Sequence, residues 1–242
     1  MKAGYEERFY REYVKSDLKS THVMVEETDL QIYSRDDVAP MAEKWVRQYR
    51  EEIKQYIDQD PQYIRSLKPM AIPLDAPSIV RHMAEAAQRA QVGPMAAVAG
   101  AMAEYVGKKL LQYTQEIIVE NGGDLFIKSS KIRKILIYTG DSPFSNQIAL
   151  EISPKDTPLG IRTSSGTLGH SLSFGLADAV VVLSRDTLLA DAAATAIGNR
   201  VKTVEDIEKA LDYGRAMKDI CGVLIIVGDK MGAWGNVKIT KP

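Results

Sequence analysis

The chain has 242 residues, 45% of them hydrophobic, with 31 Lys and Arg against 32 Asp and Glu, a composition typical of soluble globular proteins. A formal charge of -1 and a pI near 6.3 exclude the clustered positive field that sequence-independent nucleic-acid binding needs. The single cysteine, Cys221, excludes an intrachain disulfide framework and a Cys-rich zinc site.

In chain order, residues 5–35 read as extended: Tyr5 to Val14, then His22 to Glu26 and Asp29 to Tyr33 with turn residues between them, an opening hairpin. The N-terminus lacks the apolar run of a secretory signal. No segment reaches the roughly 20 apolar residues that span a bilayer, so no membrane partner and a cytoplasmic location are expected. From Asp36 the apolar positions Val38, Met41, Ala42, Trp45, Val46, Tyr49, Ile53 and Tyr56 follow the spacing of a long amphipathic helix. Four prolines, Pro61, Pro69, Pro73 and Pro77, make residues 58–77 a connector and the one candidate seam in what is otherwise expected to be a single domain over 1–242.

Residues 78–112 hold two helices whose many alanines, Ala84 to Ala103, make their surfaces smooth enough for close packing, either within the chain or at an oligomer interface. Val92-Gly93-Pro94 breaks them, with Pro at a first helical position. Short β-branched runs follow at Ile117 to Glu120, Leu125 to Ile127, Ile135 to Tyr138, Ile148 to Ile152 and Ala179 to Leu183. Helical patterns return at about 186–199 and 203–218. Then come a strand from Val223 to Val227, where Cys221 reads as a buried small hydrophobe, a Gly-rich bend, and a last short strand near Val237 to Ile239. Helices set between meandering strands predict an α+β layer fold.

Four segments carry candidate chemistry. In Leu189 to Gly198, Asp191 and Thr195 stand four apart, so a helix puts a carboxylate and a hydroxyl on one face. That is hard oxygen chemistry suited to Mg²⁺ beside a phosphate, or equally an acidic residue in a first helical turn with a Thr bonded back to the backbone. Glu120-Asn-Gly-Gly-Asp124 offers backbone N–H groups of Gly122 and Gly123 to a phosphate, or is an ordinary Asn-Gly hairpin turn. Ile161 to His170 gathers Arg162, Thr163, Ser164, Ser165, Gly166 and His170, an anion-binding loop or a turn between strands. Gly93 opens a helix whose free N–H groups attract anions, or fits a tight corner. His22, His82 and His170 lie in separate segments without the i, i+4 spacing of a helical metal pair.

Taken together and in this order, the segments resemble the ApbE-like superfamily, whose best-known members are Mg²⁺-dependent FAD:protein FMN transferases. Val98 to Leu111 followed by Ile117 to Ile127 is similar to their Ala-rich helix and strand ending in a Gly-Gly-Asp turn. Thr163-Ser-Ser-Gly166, His170, Ala179 to Leu183 and Ala190-Asp-Ala-Ala-Ala-Thr195 are similar to their Thr-Ser-Gly segment, loop His, strand and metal-binding helix. Val-Gly-Pro-Met-Ala-Ala-Val-Ala-Gly and Glu-Asn-Gly-Gly-Asp resemble recurring phrases of a family of uncharacterised archaeal and bacterial proteins inside that superfamily. The resemblance implies an ApbE-like layered fold with a mostly antiparallel sheet and packed Ala-rich helices. It further implies Asp191 and Thr195 as Mg²⁺ ligands, and Gly93, Gly122, Gly123, Asp124, Arg162, Thr163, Ser164, Ser165 and Gly166 around a phosphate-bearing ligand such as FAD or FMN. His170 is the implied acid or base of a phosphoryl or nucleotidyl transfer.

The chain departs from the transferases in two places. Gly100-Ala-Met-Ala-Glu-Tyr105 stands where they have Lys-Gly-Tyr-Ala-Val-Asp, and Ser171-Leu-Ser-Phe-Gly175 where they have Asp-Pro-x-Thr-Gly. The missing Lys and Asp motivate one alternative, a non-catalytic ligand-binding module on the same scaffold, and the small residues of the Ala-rich helices motivate another, an oligomeric structural protein.

Overall fold

The computed structural model describes residues 16–140, 142–164 and 175–242. The opening hairpin is β1 (Lys19–Val25) against β2 (Thr28–Ser34); the extended reading of Tyr5 to Val14 lies outside the described residues. β3 (Ile117–Asn121) and β4 (Asp124–Lys128) form a second hairpin, and the meander continues through β7 (Leu159–Ser164), β8 (Ala179–Ser184), β9 (Ile220–Val227) and β10 (Lys230–Gly235). Together they make one eight-stranded sheet in the order β1-β2-β3-β4-β7-β8-β9-β10, every pairing antiparallel. β5 (Arg133–Leu136), β6 (Ala149–Ile152) and β11 (Ile239–Thr240) form a separate three-stranded sheet.

Among the described residues six α-helices complete the fold: α1 (Ala39–Gln59), α2 (Gln62–Arg65), α3 (Ser78–Ala90), α4 (Val98–Leu110), α5 (Thr187–Gly198) and α6 (Ile207–Ala216). They cover one face of the large sheet and the small sheet covers the other. Successive residues of a strand point to opposite faces, so Val180 and Val182 pack under the helices while Ala179, Val181 and Leu183 pack against the small sheet. With both faces covered, β8 and β9 read as unbroken apolar runs rather than as an alternation.

Two expectations are corrected here. The Ile161 to Ser164 part of the hydroxyl-rich segment is not a loop: it belongs to β7, a central strand paired on both sides. The Gly-rich bend is the edge strand β10, whose Gly232 leaves room for Ile207 and Leu211 of α6. Cys221 lies in β9 as expected but is half-buried rather than enclosed. In the connector, Tyr63 is fully buried and donates from its hydroxyl to the Val80 carbonyl (2.9 Å), fixing α2 to α3.

The alanines of α3 and α4 are buried within this chain, except Ala99, which is half-buried. α3 and α4 both pack closely on α5. Gly100 is where α4 comes closest, since a Cβ there would run into the Thr187 carbonyl and lie 3.0 Å from Asp191 Cβ.

Candidate functional site

Asp124 and Arg162 are direct cross-strand partners in the β4–β7 register, and both side chains face the helical layer. α5 runs over β7 in the same direction. Its first residue, Thr187, lies against Gly160, where a side chain would collide with it. Four helical residues advance about 6 Å and two strand residues about 6.6 Å, so helix and strand keep step. Thr187 sits over Gly160 and Asp191 over Arg162, and the same step carries Thr195 toward the Ser164 end of β7.

Asp124 is fully buried, and Asp191 and Arg162 are each about 5% exposed. The Arg162 guanidinium donates through Nη1 to Asp124 Oδ2 and to the Gly122 carbonyl (3.0 Å), and its Nε lies 3.7 Å from Asp191 Oδ1. Asp191 Oδ2 accepts the backbone N–H of Gly100 (3.0 Å), so this carboxylate also caps the N-terminal turn of α4. Burial pushes both carboxyls above their ordinary range, Asp124 strongly, and the Arg162 charge offsets that only in part. Two carboxyls share one guanidinium and hydrogen-bond each other, and Asp124 Oδ1 meets no N–H or hydroxyl donor among the described residues.

The Gly122–Gly123 turn lies at the same end of the sheet. Both glycines have positive φ, 61° and 98°, as the hairpin requires. A Cβ on Gly123 would lie 2.7 Å from the Thr163 carbonyl. Their N–H groups donate to Glu120 Oε1, at 2.6 and 3.4 Å, so in this state the turn holds the chain's own carboxylate. Asn121 Nδ2 donates to the Ala99 carbonyl (3.1 Å), fixing the turn to the start of α4.

The fold therefore brings Gly122, Gly123, Asp124, Arg162 and Asp191 together, with Thr163 and Ser164 half-buried on the exit of β7 and Thr195 one helical turn beyond Asp191. Gly93 stands elsewhere, with the backbone of Ser66 and Leu67 in the place a side chain would take; the tight corner accounts for that glycine. Ser165, Gly166 and His170 lie outside the described residues.

Sequence reasoning missed Glu104 and Glu120. Glu104 is buried in α4, its Oε2 accepting the Thr187 N–H (2.6 Å) and its Oε1 the Lys108 ammonium (2.6 Å). A lone carboxylate in the otherwise small and apolar run Val98 to Gly107 was the available signal. No three His, Cys, Asp or Glu side chains gather as a metal cage among the described residues, and no helix among them is long and apolar enough to cross a membrane.

A family model described as AbpE bacteria matches residues 11–233. The UPF0280 protein of Methanocella arvoryzae is 38% identical over 223 residues, covering 90% of this chain and 89% of the relative. That of Methanospirillum hungatei is 41% identical over 219 residues, covering 89% and 87%. Among solved structures, the Vibrio cholerae flavin transferase ApbE superposes with a TM-score of 0.59 at 16% identity, covering 90% of this chain and 97% of the other. The apo form of the Pseudomonas stutzeri flavinyl transferase ApbE gives 0.61 at 15% identity, covering 90% and 94%. At those identities the likeness is one of fold.

Proposed function

The chain belongs to the ApbE-like family that includes the UPF0280 proteins, and on that premise we propose that it binds a phosphate-bearing ligand, a flavin or related nucleotide, with Mg²⁺ at the Ser164 end of β7. The observation that carries this reading is the buried Asp124–Arg162–Asp191 cluster, with two mutually hydrogen-bonded carboxyls to one guanidinium. This donor set fits Mg²⁺, which takes one or two carboxylates and completes its shell with water and substrate phosphates. Asp191 and Thr195 would hold the ion, with Asp124 beside them. Bound there, Mg²⁺ would neutralise charge developing on a phosphoryl group during transfer.

The protein's own groups have separate tasks. Arg162 fixes both carboxylates and closes the floor of the site. Thr163, Ser164 and, further along, Ser165 and Gly166 offer hydroxyl and N–H donors to phosphate oxygens. The Gly122 and Gly123 amides, now on Glu120, become phosphate donors when the ligand displaces that carboxylate. His170 is the acid or base, taking the proton of an acceptor hydroxyl. In FMN transfer the diphosphate bond of FAD breaks, the FMN phosphorus bonds to that hydroxyl oxygen, and AMP leaves.

Thermal midpoints with FAD, FMN or ADP, each with and without Mg²⁺, test the binding. A metal-dependent rise that Asp191→Ala removes supports the proposal; no rise with any of the three, with or without Mg²⁺, sinks it. A second reading, a non-catalytic module on the same scaffold, is favoured by one observation. Arg162 and both glycine amides are already committed to partners within the chain. AMP release from FAD and Mg²⁺ above background excludes that module.

A further inference from the structure

The helical face carries a cleft of about 440 Å³ lined by Tyr49 of α1, Ser78 and His82 of α3, and Tyr105, Lys108 and Lys109 of α4. Most of these groups are already satisfied within the chain. Lys108 pairs with Glu104 (2.6 Å), His82 Nε2 meets Asp186 Oδ2 at 3.2 Å, and Ser78 hydrogen-bonds Tyr105.

Two are not. Lys109 is half-buried and makes no ion pair or hydrogen bond among the described residues; its ammonium lies 4.7 Å from the centroid of the Trp45 ring, which attracts a cation but does not neutralise it. The Tyr49 hydroxyl likewise makes no hydrogen bond among the described residues. The Lys109 ammonium can therefore take an arriving anion as a charge-assisted partner.

The rest of the lining is aromatic. Tyr49 is buried edge to face against Tyr105, with centroids 5.2 Å apart, and the half-buried rings of Tyr105 and His82 lie 5.9 Å apart, so these two offer partly open faces to a planar ring. The volume falls within the range of small-molecule sites.

We propose that this cleft binds a small aromatic acid, its phosphate or carboxylate group on Lys109 and the Tyr49 hydroxyl and its ring against Tyr105 and His82. The cleft draws on none of the residues assigned to the phosphate and metal site above.

The test uses the full chain carrying Trp234→Phe, which leaves Trp45, stacked on Tyr49 and in contact with Lys109, as the sole indole. Its emission is titrated with phenyl phosphate, benzoate, inorganic phosphate and benzyl alcohol. The expected result is a saturable change with phenyl phosphate or benzoate. Inorganic phosphate and benzyl alcohol, each lacking half of the recognised chemistry, should bind about tenfold more weakly. Lys109→Ala should weaken the aromatic acid about tenfold while keeping the parent's thermal midpoint, and Lys109→Gln replaces it if the alanine variant does not fold. Tighter binding of phenyl phosphate assigns the acid group to a phosphate, and tighter binding of benzoate to a carboxylate. The inference is overturned if neither acid gives a saturable change by about 10 mM, a level that would still detect very weak binding, or if the Lys109 variants bind as tightly as the parent.

Discussion

Replacing Arg162 with Met keeps an apolar stem under α5 but removes the guanidinium that Asp124 and Asp191 both face. Asp124 is fully buried and Asp191 nearly so, so neither carboxylate recovers hydration when its partner goes. Stripping one member from a buried ion cluster costs about 3–5 kcal/mol. For a chain of this size each kcal/mol lowers the thermal midpoint by roughly 2–4 °C, so a fall of about 6–20 °C is expected near neutral pH.

The loss must depend on pH in a definite direction. Burial already holds both carboxyls above their ordinary range, and removing the cation raises them further. A raised carboxyl keeps its proton in the folded state over a range where the unfolded chain has released it. Stability is therefore fullest below the unfolded value, about 3.9, and falls as pH rises toward the folded value. Urea denaturation of parent and Arg162→Met at pH 5, 6, 7 and 8 reads this directly, with the deficit smallest at pH 5. Asp124→Asn placed in the Arg162→Met background should restore part of the loss. A deficit under about 1 kcal/mol at pH 8, or one that stays flat down to pH 5, would refute the reasoning.

Gly100→Ala drives a methyl group into the Thr187 carbonyl and against Asp191. Both neighbours belong to packed helices, so a loss of about 1–3 kcal/mol in urea is expected, whereas Ala101→Gly on the same helix should cost no more than about 1 kcal/mol. Glu116 gives the opposite pH signature to the Asp pair. Burial alone would raise it, but hydrogen bonds from Ser130, Arg133 and Ser129 outweigh that and hold it at about 2. Its contribution is full above the ordinary carboxylate value and lost as pH falls toward 2, so Glu116→Gln should flatten the acid limb of the stability curve. Glu104→Gln weakens the acceptor of the Thr187 N–H and strips Lys108 of its partner; a loss of about 1–3 kcal/mol by calorimetry is expected.

Much of the fold was legible because burial wrote a period into the chain. The run from Val38 to Tyr56 gives α1, with Ala42, Val46, Tyr49, Ile53 and Tyr56 buried, and the turn residues between His22 and Tyr33 give the first hairpin. β7 escaped because Arg162, Thr163 and Ser164 look solvent-facing. Only the tertiary placement of Asp124, 38 residues away, and of α5 makes a central strand with a buried arginine tolerable. β10 escaped for a related reason: glycine reads as a bend, and the reason for Gly232 is a helix packed against it.

At the site, the helical spacing of Asp191 and Thr195 was readable from sequence, and so was the Gly-Gly turn. What was not readable is how those groups are spent. No spacing rule announces that Asp191 caps α4 at Gly100, or that Glu120 folds over its own turn to take the glycine amides.

The central claim is a phosphate-bearing ligand held with a divalent ion at the Asp124–Arg162–Asp191 cluster. Isothermal titration of the parent and Asp191→Asn with FAD and with ADP, each in Mg²⁺ and in EDTA, tests it most directly. The account predicts one-to-one binding of at least one of the two to the parent in Mg²⁺, weakened at least about tenfold by EDTA and by Asp191→Asn alike. Binding that ignores both the chelator and the substitution, or no binding by either compound in any buffer, would contradict it.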